Sequence, residues 1–214
     1  MRLDGHAAFI TGGTQGIGRA IAVRLAQAGC HLVLHGLAPD EHSARTVEEC
    51  RALGVRVNAL FADLAQPADD YVPDLVEQVV ALEPDLSLLV NNAGTFCDQP
   101  FLEMDLATFD RTWRINVASG YFLTQRFARR WIENRVRGRV LFTGSINGEL
   151  AEADHTAYDT SKGAVRTMVR SLCVALAPHG IRVNSMAPGL VVTPLTSPAL
   201  AGDSLRWMQL HTPN

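Results

Sequence analysis

The sequence predicts an α/β chain built on a doubly wound parallel sheet with helices on both faces. Two observations lead there. Short runs rich in Val, Ile, Leu and Phe recur along the chain, and runs apolar on both faces suit strands buried inside a parallel sheet. Longer stretches with helical periodicity separate them, and strict alternation of strand and helix implies right-handed crossovers within one sheet. No low-complexity linker and no internal repeat breaks the alternation, so residues 1–214 read as a single domain.

In order, the strand runs fall at 7–10, 32–34, 57–61, 86–90, 140–142 and 181–186. The helical stretches cover 16–29, 41–53, 71–82, 106–135 and 156–179. Gly29, Gly54 and Gly180 follow three of the helices, where a left-handed C-terminal cap is wanted. Pro84 stops the third.

Composition narrows the function classes. With 47% apolar and 19% charged residues among 214, the chain is globular and long enough for a sizeable core. A net charge of −3 points to neither nucleic acid nor an anionic membrane as partner. Arg126, Arg129, Arg130, Arg135, Arg137 and Arg139 gather where a helix ends, and read as solvated charge favourable at a helix C-terminus. Cys30, Cys50, Cys97 and Cys173 lack C-x-x-C spacing and the seven His lack H-E-x-x-H spacing, so no metal is expected. Unpaired thiols favour a reducing compartment. A strand begins almost at once, leaving no room for a signal peptide, and no apolar run reaches membrane-spanning length. A cytoplasmic protein with no membrane partner is the expectation.

The first strand runs into Thr11-Gly12-Gly13-Thr14-Gln15-Gly16-Ile17-Gly18 and straight on into a helix. Glycines at such a turn let the backbone approach a pyrophosphate resting on the helix N-terminus, although a tight turn alone would use the same residues. Asp63-Leu64 closes the third strand, where an Asp can border an adenine pocket or cap a helix. Asn91-Asn92-Ala93-Gly94 closes the fourth, as a ribose-side loop or as a plain turn. After the fifth strand comes Thr143-Gly144-Ser145, at the carboxyl end where ligands bind in open α/β sheets. Tyr158 and Lys162 then lie four apart on one helix face. An ammonium that close favours phenolate over phenol, giving a group able to exchange a proton near neutral pH.

Taken in order and spacing, TGGTQGIG at 11–18, Asp63-Leu64, NNAG at 91–94, Asn116, Ser145, YDTSK at 158–162 and PGLVVT at 188–193 resemble the short-chain dehydrogenase/reductase family. The resemblance spans nearly the whole chain. It implies a Rossmann-type sheet of strand order 3-2-1-4-5-6 and hydride transfer between NAD(P) and a secondary alcohol or ketone. Tyr158 would be the acid/base, Lys162 would lower its pKa and bond the nicotinamide ribose, and Ser145 would orient the substrate oxygen. Asn116 would hold a water linking Lys162 to solvent. Gly12, Thr14, Gln15, Gly16, Ile17 and Gly18 would take the pyrophosphate. His35 and Gly36 would border the adenosine ribose, and Asp63 and Leu64 the adenine. Asn91, Ala93 and Gly94 would meet the ribose side, with Pro188, Gly189, Val191 and Thr193 at the nicotinamide.

NAD is expected over NADP, because the second strand ends Leu34-His35-Gly36-Leu37 without the family's Asp or Arg selector, and Gln15 replaces a basic residue. A 2′-phosphate there would lack a cation, unless His35 donates to it or Arg19 folds back. Glu149, Glu152, Asp154 and Asp98 flank the expected pocket and would repel a carboxylate or a phosphorylated carrier, favouring a sugar or polyol. The alternatives are a 3-oxoacyl thioester reductase, docking its carrier on the arginines of 126–137, and a non-catalytic dinucleotide-binding protein. Relatives continue into another helix and a seventh strand where this sequence stops at Asn214, and Ser204 to Leu210 resembles the start of the substrate-covering region. Family analogy also implies a homodimer through the 106–135 helix, which carries Phe109, Trp113, Phe122, Phe127 and Trp131.

Overall fold

The computed structural model describes residues 2–197. Six parallel strands form one sheet: β1 (Ala7–Ile10), β2 (His31–Gly36), β3 (Val57–Phe61), β4 (Leu88–Asn91), β5 (Arg139–Thr143) and β6 (Arg182–Met186). Their order is β3-β2-β1-β4-β5-β6, as the sequence predicts. The chain reverses its direction of winding at β1 and β4, which are paired with Phe9 opposite Leu89. The expected region at 204–210 lies outside the described residues.

Alternation of side chains along each strand divides the core in two. Phe9, Val33, Leu89, Val140 and Phe142 face one side, under α3 (Ala68–Leu82), α5 (Ser119–Glu133) and α6 (Thr156–Leu176). Ile10, Leu32, Leu34 and Val90 face the other, under α1 (Gly16–Gln27) and α2 (Glu41–Arg51). Trp131 of α5 is fully buried and donates Nε1–H to the Leu86 carbonyl at 2.7 Å, which places the end of that helix beside the start of β4. The arginines that follow therefore lie at the end of the sheet opposite the strand carboxyl termini.

Helix ends follow local chemistry. Gly29, Gly54 and Gly180 all take left-handed φ, of 90°, 84° and 71°. Asp40 caps α2 by accepting from Ser43 N at 2.7 Å, while the Ser43 hydroxyl accepts from Asp40 N. The third helix begins at Ala68, earlier than expected, with Asp69 and Asp70 in its first turn where the helix dipole favours them. The expected 106–135 helix is three pieces: α4 (Leu106–Trp113), one π turn (Arg114–Ala118), then α5. Such turns add a residue to the helix and are frequent at functional sites; this one carries Asn116.

Candidate active site

A cavity of about 1570 Å3 opens at the carboxyl ends of the strands and runs along the glycine loop, past β4 and β5, to the start of α6. Single ligand pockets occupy roughly 300–1000 Å3, so this one has room for a dinucleotide and a second molecule.

Gly12 and Gly16 take φ of +59° and +53°, a left-handed region open to glycine at little strain. Unlike α2, α1 has no side-chain cap, so its first-turn amides face the loop free of side-chain acceptors. Gly12, Thr14, Gln15, Gly16 and Ile17 line the cavity. Gly18 does not; a Cβ there would fall 1.9 Å from the Gly12 carbonyl oxygen, so its role is to let α1 pack beneath the loop. Thr46 of α2 ties the loop down through its hydroxyl, which donates to the Thr14 carbonyl at 2.7 Å.

The two adjacent asparagines part company. Asn91 is the last residue of β4 and shares a face with Leu89, so its side chain turns under α5 and donates to the Thr124 hydroxyl at 3.0 Å. It does not reach the cavity, contrary to the ribose-side expectation. Asn92, one residue past the strand, does. Its Nδ2 donates to the carbonyls of Thr11 and Gly12 at 3.1 and 3.0 Å, and its Oδ1 accepts the Thr143 hydroxyl at 3.1 Å. The Thr11 hydroxyl accepts from Asn92 N and Ala93 N at 2.9 and 3.0 Å. One side chain thus joins the ends of β1, β4 and β5. Ala93 and Gly94 line the cavity beside it.

His35 and Gly36 also line the cavity, but His35 is only 3% exposed and has no free nitrogen. Nδ1 accepts from Gly12 N at 3.3 Å, so Nε2 carries the hydrogen and donates to the Ala62 carbonyl at 3.0 Å. Burial pushes its pKa down to about 4. A neutral, fully engaged imidazole is not a donor for a 2′-phosphate, which corrects that expectation. Arg19 is paired with Glu49 at 2.6 Å rather than folded over the loop. Asp63 and Leu64 line the cavity past β3; the Asp63 carboxylate accepts from Ala65 N at 2.9 Å, which lowers its pKa.

Ser145, Tyr158 and Lys162 meet at the other end of the cavity. Lys162, 5% exposed, donates from Nζ to the Thr143 carbonyl at 3.1 Å and lies 5.5 Å from the centre of the Tyr158 ring. Burial lowers its pKa to about 8. The Tyr158 phenol stands above its usual value, chiefly through burial; hydrogen bonding by Ser145 pulls it down, and Asp159 and Glu152 push it up. Burial sets the direction of the shift in this structure, the opposite of the lowering expected from Lys162. Asn116 grips the loop across from them: its Oδ1 accepts from Thr95 N at 2.8 Å, and its Nδ2 donates to the Thr95 carbonyl and the Ser161 hydroxyl, both at 3.0 Å.

Pro188, Gly189, Val191 and Thr193 complete the wall. Of the four acidic residues expected at the mouth, Asp98 and Glu152 line the cavity. Glu149 instead pairs with Arg166 at 2.8 Å. Phe96, Asn147 and His155 also line it, within the stretches past β4 and β5 where the sequence places the pocket wall. Among the described residues, no cluster of His, Cys, Asp and Glu could hold a metal, and no helix is long and apolar enough to cross a membrane.

Comparison with known proteins agrees with this geometry. The family model described as short chain dehydrogenase matches residues 6–203. The L-rhamnose 1-dehydrogenase (NADP(+)) of Thermoplasma acidophilum is 32% identical over 209 residues, spanning 97% of this chain and 82% of its own. The 3-oxoacyl-[acyl-carrier-protein] reductase of Aquifex aeolicus is 30% identical over 197 residues, spanning 92% and 78%. The crystal structure of a short-chain type dehydrogenase/reductase from Mycobacterium marinum superposes with a TM-score of 0.92 at 29% identity, covering 99% of this chain and 82% of that one.

Proposed function

This chain belongs to the short-chain dehydrogenase family, and we propose that within it the chain interconverts a neutral, polyhydroxylated secondary alcohol and its ketone, preferring NAD. The general activity is NAD(P)-dependent oxidoreduction at CH–OH and C=O groups. The observation that carries the finer reading is the wall beside Tyr158, where Asp98 and Glu152 line the same cavity as Ser145. Carboxylates there repel an anionic substrate and accept from hydroxyl groups. The likeness to an L-rhamnose 1-dehydrogenase is in keeping with a sugar. Against the carrier-linked thioester, the arginines that follow Trp131 lie at the far end of the sheet from the cavity.

The residues present fit a nicotinamide dinucleotide: an uncapped helix N-terminus, two left-handed glycines and a cavity longer than one small molecule needs. When bound, it supplies the hydride acceptor or donor. The chain does the rest. The Ser145 hydroxyl and Tyr158 hold the substrate oxygen; in oxidation the Tyr158 phenolate takes its proton, and in reduction the phenol gives one back. Lys162, held by Thr143, keeps a positive charge under that phenol and stabilises the deprotonated form. Asn116 fixes Thr95, the first residue of the loop that leads to Phe96 and Asp98. NAD is preferred because both candidate cations for a 2′-phosphate, His35 and Arg19, are engaged elsewhere. Leu106, Phe109, Tyr121, Phe122 and Ile132 are exposed on these helices and supply apolar groups for a homodimer contact, whereas Phe127 and Trp131 belong to the core.

The test is turnover of the purified chain with a panel of sugars, polyols, simple secondary alcohols and 3-oxoacyl thioesters, with both cofactors and Tyr158→Phe as control. Tyr158-dependent turnover of polyols with NAD is expected. Turnover of the thioesters alone would overturn the substrate reading, and cofactor binding without any turnover would make the chain a non-catalytic dinucleotide binder.

A further inference from the structure

In the reaction proposed above Ser145 and Tyr158 hold one oxygen, yet they come from different elements. Ser145 stands two residues beyond the end of β5, and Tyr158 lies in the first turn of α6. Asn147, 9% exposed, follows Ser145 by two residues in a single 3-10 turn (Ile146–Gly148). Its backbone N–H donates to Ser145 Oγ at 3.1 Å, and its Oδ1 lies 3.5 Å from the same oxygen. Its Nδ2 donates to Asp159 Oδ1 at 2.9 Å and to Glu152 Oε1 at 3.1 Å. Asp159 is the residue after Tyr158, and its Oδ2 accepts from Glu152 N at 2.9 Å. Glu152 also faces His155, whose Nδ1 lies 3.4 Å from its Oε1 and whose Nε2 is paired with Asp98. Gly148 lets the turn sit close on the helix, since a Cβ there would fall 3.0 Å from the Lys162 carbonyl oxygen.

We propose that Asn147, anchored by Asp159, is a positioning residue that holds the Ser145 hydroxyl against the Tyr158 phenol. The proposal rests on the roles given above to Ser145 and Tyr158 and is independent of the polyol reading. The Asn147 amide can face only one way. Turned over, it would set its oxygen 2.9 and 3.1 Å from two carboxylate oxygens. As it stands, both amide hydrogens meet anions, and such charge-assisted bonds are stronger than neutral ones. Neither hydrogen is left to compete for Ser145. Because Ser145 Oγ accepts from Asn147 N, the hydroxyl keeps its hydrogen and one lone pair for the phenol and a substrate oxygen. Along the chain Ser145 and Tyr158 are thirteen residues apart; across the cavity wall the single bond from Asn147 to Asp159 joins their immediate neighbourhoods. A displacement of about 1 Å at a catalytic group costs on the order of a hundredfold in rate, so the bond bears on turnover. In this role neither Asn147 nor Asp159 touches the reacting atoms; both act through Ser145.

The experiment reads Tyr158 directly and needs no substrate. Tyrosinate absorbance is recorded just after rapid jumps to alkaline pH, and the difference from Tyr158→Phe isolates this phenol. Ser145 pulls its pKa down, so Ser145→Ala should raise the midpoint, by about half a pH unit or more for one hydrogen bond. Asn147→Leu keeps the backbone N–H and the bulk but neither polar atom, and should raise the midpoint comparably. Made in the Ser145→Ala chain, the same substitution should add little, because its effect passes through Ser145. An equal step in both backgrounds would overturn the proposal: Asn147 would then reach Tyr158 only through the charges of Asp159 and Glu152, which push its pKa up. So would an unmoved midpoint in Asn147→Leu beside a raised one in Ser145→Ala. Initial rates on the panel above give a second readout. In Asn147→Leu kcat should fall about tenfold or more with KM moving far less, again without adding to Ser145→Ala. Asp159→Asn still offers an oxygen to Nδ2 and should retain more of kcat than Asp159→Leu. NADH affinity, which reports folding, should stay close to wild type; a loss as large as that in kcat would make Asn147 merely structural. Undiminished turnover in Tyr158→Phe would instead overturn the roles of Ser145 and Tyr158 themselves.

Discussion

Gly12 donates its backbone N–H to Nδ1 of His35 at 3.3 Å, so the imidazole at the end of β2 holds the glycine loop from below. The ring must be neutral to accept that hydrogen, and its pKa is pushed down to about 4 from 6.5 by burial. A depressed folded-state pKa contributes stability that is present above the unfolded value and is lost as pH falls through the folded one. The window here therefore runs from about pH 6.5 down to about pH 4. Across it the shift corresponds to on the order of 3 kcal/mol. Urea unfolding at a series of pH values should show a fall of this size in the wild-type chain. His35→Gln, which can accept from Gly12 and donate to Ala62 without titrating, should lack most of it.

In the proposed reaction Lys162 would serve catalysis at the expense of the fold. Its pKa is lowered to about 8 by burial, so the unfolded chain holds the proton more tightly than the folded one. Stability from this group is therefore fully present only above its unfolded value and is lost as pH drops through about 8. Lys162→Met removes the buried charge and one hydrogen bond to the Thr143 carbonyl. It should raise unfolding stability at pH 7 by about 1–3 kcal/mol while lowering kcat at least a hundredfold. Denaturant midpoints and initial rates measured on the same preparation check both halves. A destabilised variant would mean that the hydrogen bond outweighs the desolvation.

Asn91 and Asn92 are neighbours with separable effects. Asn92→Ala leaves the carbonyls of Thr11 and Gly12 without their side-chain donor and loosens the turn joining β1 to α1. NADH affinity should fall about tenfold or more, with a stability loss of about 1–3 kcal/mol for the groups left unsatisfied. Asn91→Ala removes a contact to Thr124 under α5 and should alter NADH affinity far less than stability. Equal losses of affinity in the two variants would contradict the division.

That division also marks where the sequence stops being informative. The doubly wound parallel sheet was legible because runs such as 7–10 and 140–142 are apolar on both faces and alternate with helical periodicity; the strand order came with the family resemblance. The meeting of Ser145, Tyr158 and Lys162 was legible from spacing along a strand end and one helical turn. Which asparagine faces the cavity depends on where β4 ends, since a shift of one residue exchanges the faces. His35 was read as bordering the adenosine ribose at the end of β2; the strand runs on to Gly36, and the ring is buried between Gly12 and Ala62. The π turn at Arg114–Ala118 has no signature in a helix that is otherwise continuous. His155 and its carboxylates come together only through the loops around Asp98 and Glu152, and loop conformation carries no periodicity to read.

Cofactor selectivity offers the sharpest charge test. Gln15 lines the cavity with extended φ of −152°, a backbone that any residue adopts, so a substitution there introduces no strain. With His35 neutral and Arg19 paired to Glu49, NADH should bind more tightly than NADPH. Gln15→Arg should improve NADPH affinity by about tenfold or more through a charge-assisted hydrogen bond to the 2′-phosphate, and leave NADH nearly unchanged. The gain should shrink as ionic strength rises, since an exposed charge pair is screened. Fluorescence titrations of both cofactors at low and high salt measure each part. Tighter NADPH binding by the wild-type chain would show that a cation other than His35 or Arg19 reaches the ribose, and would reverse the preference for NAD.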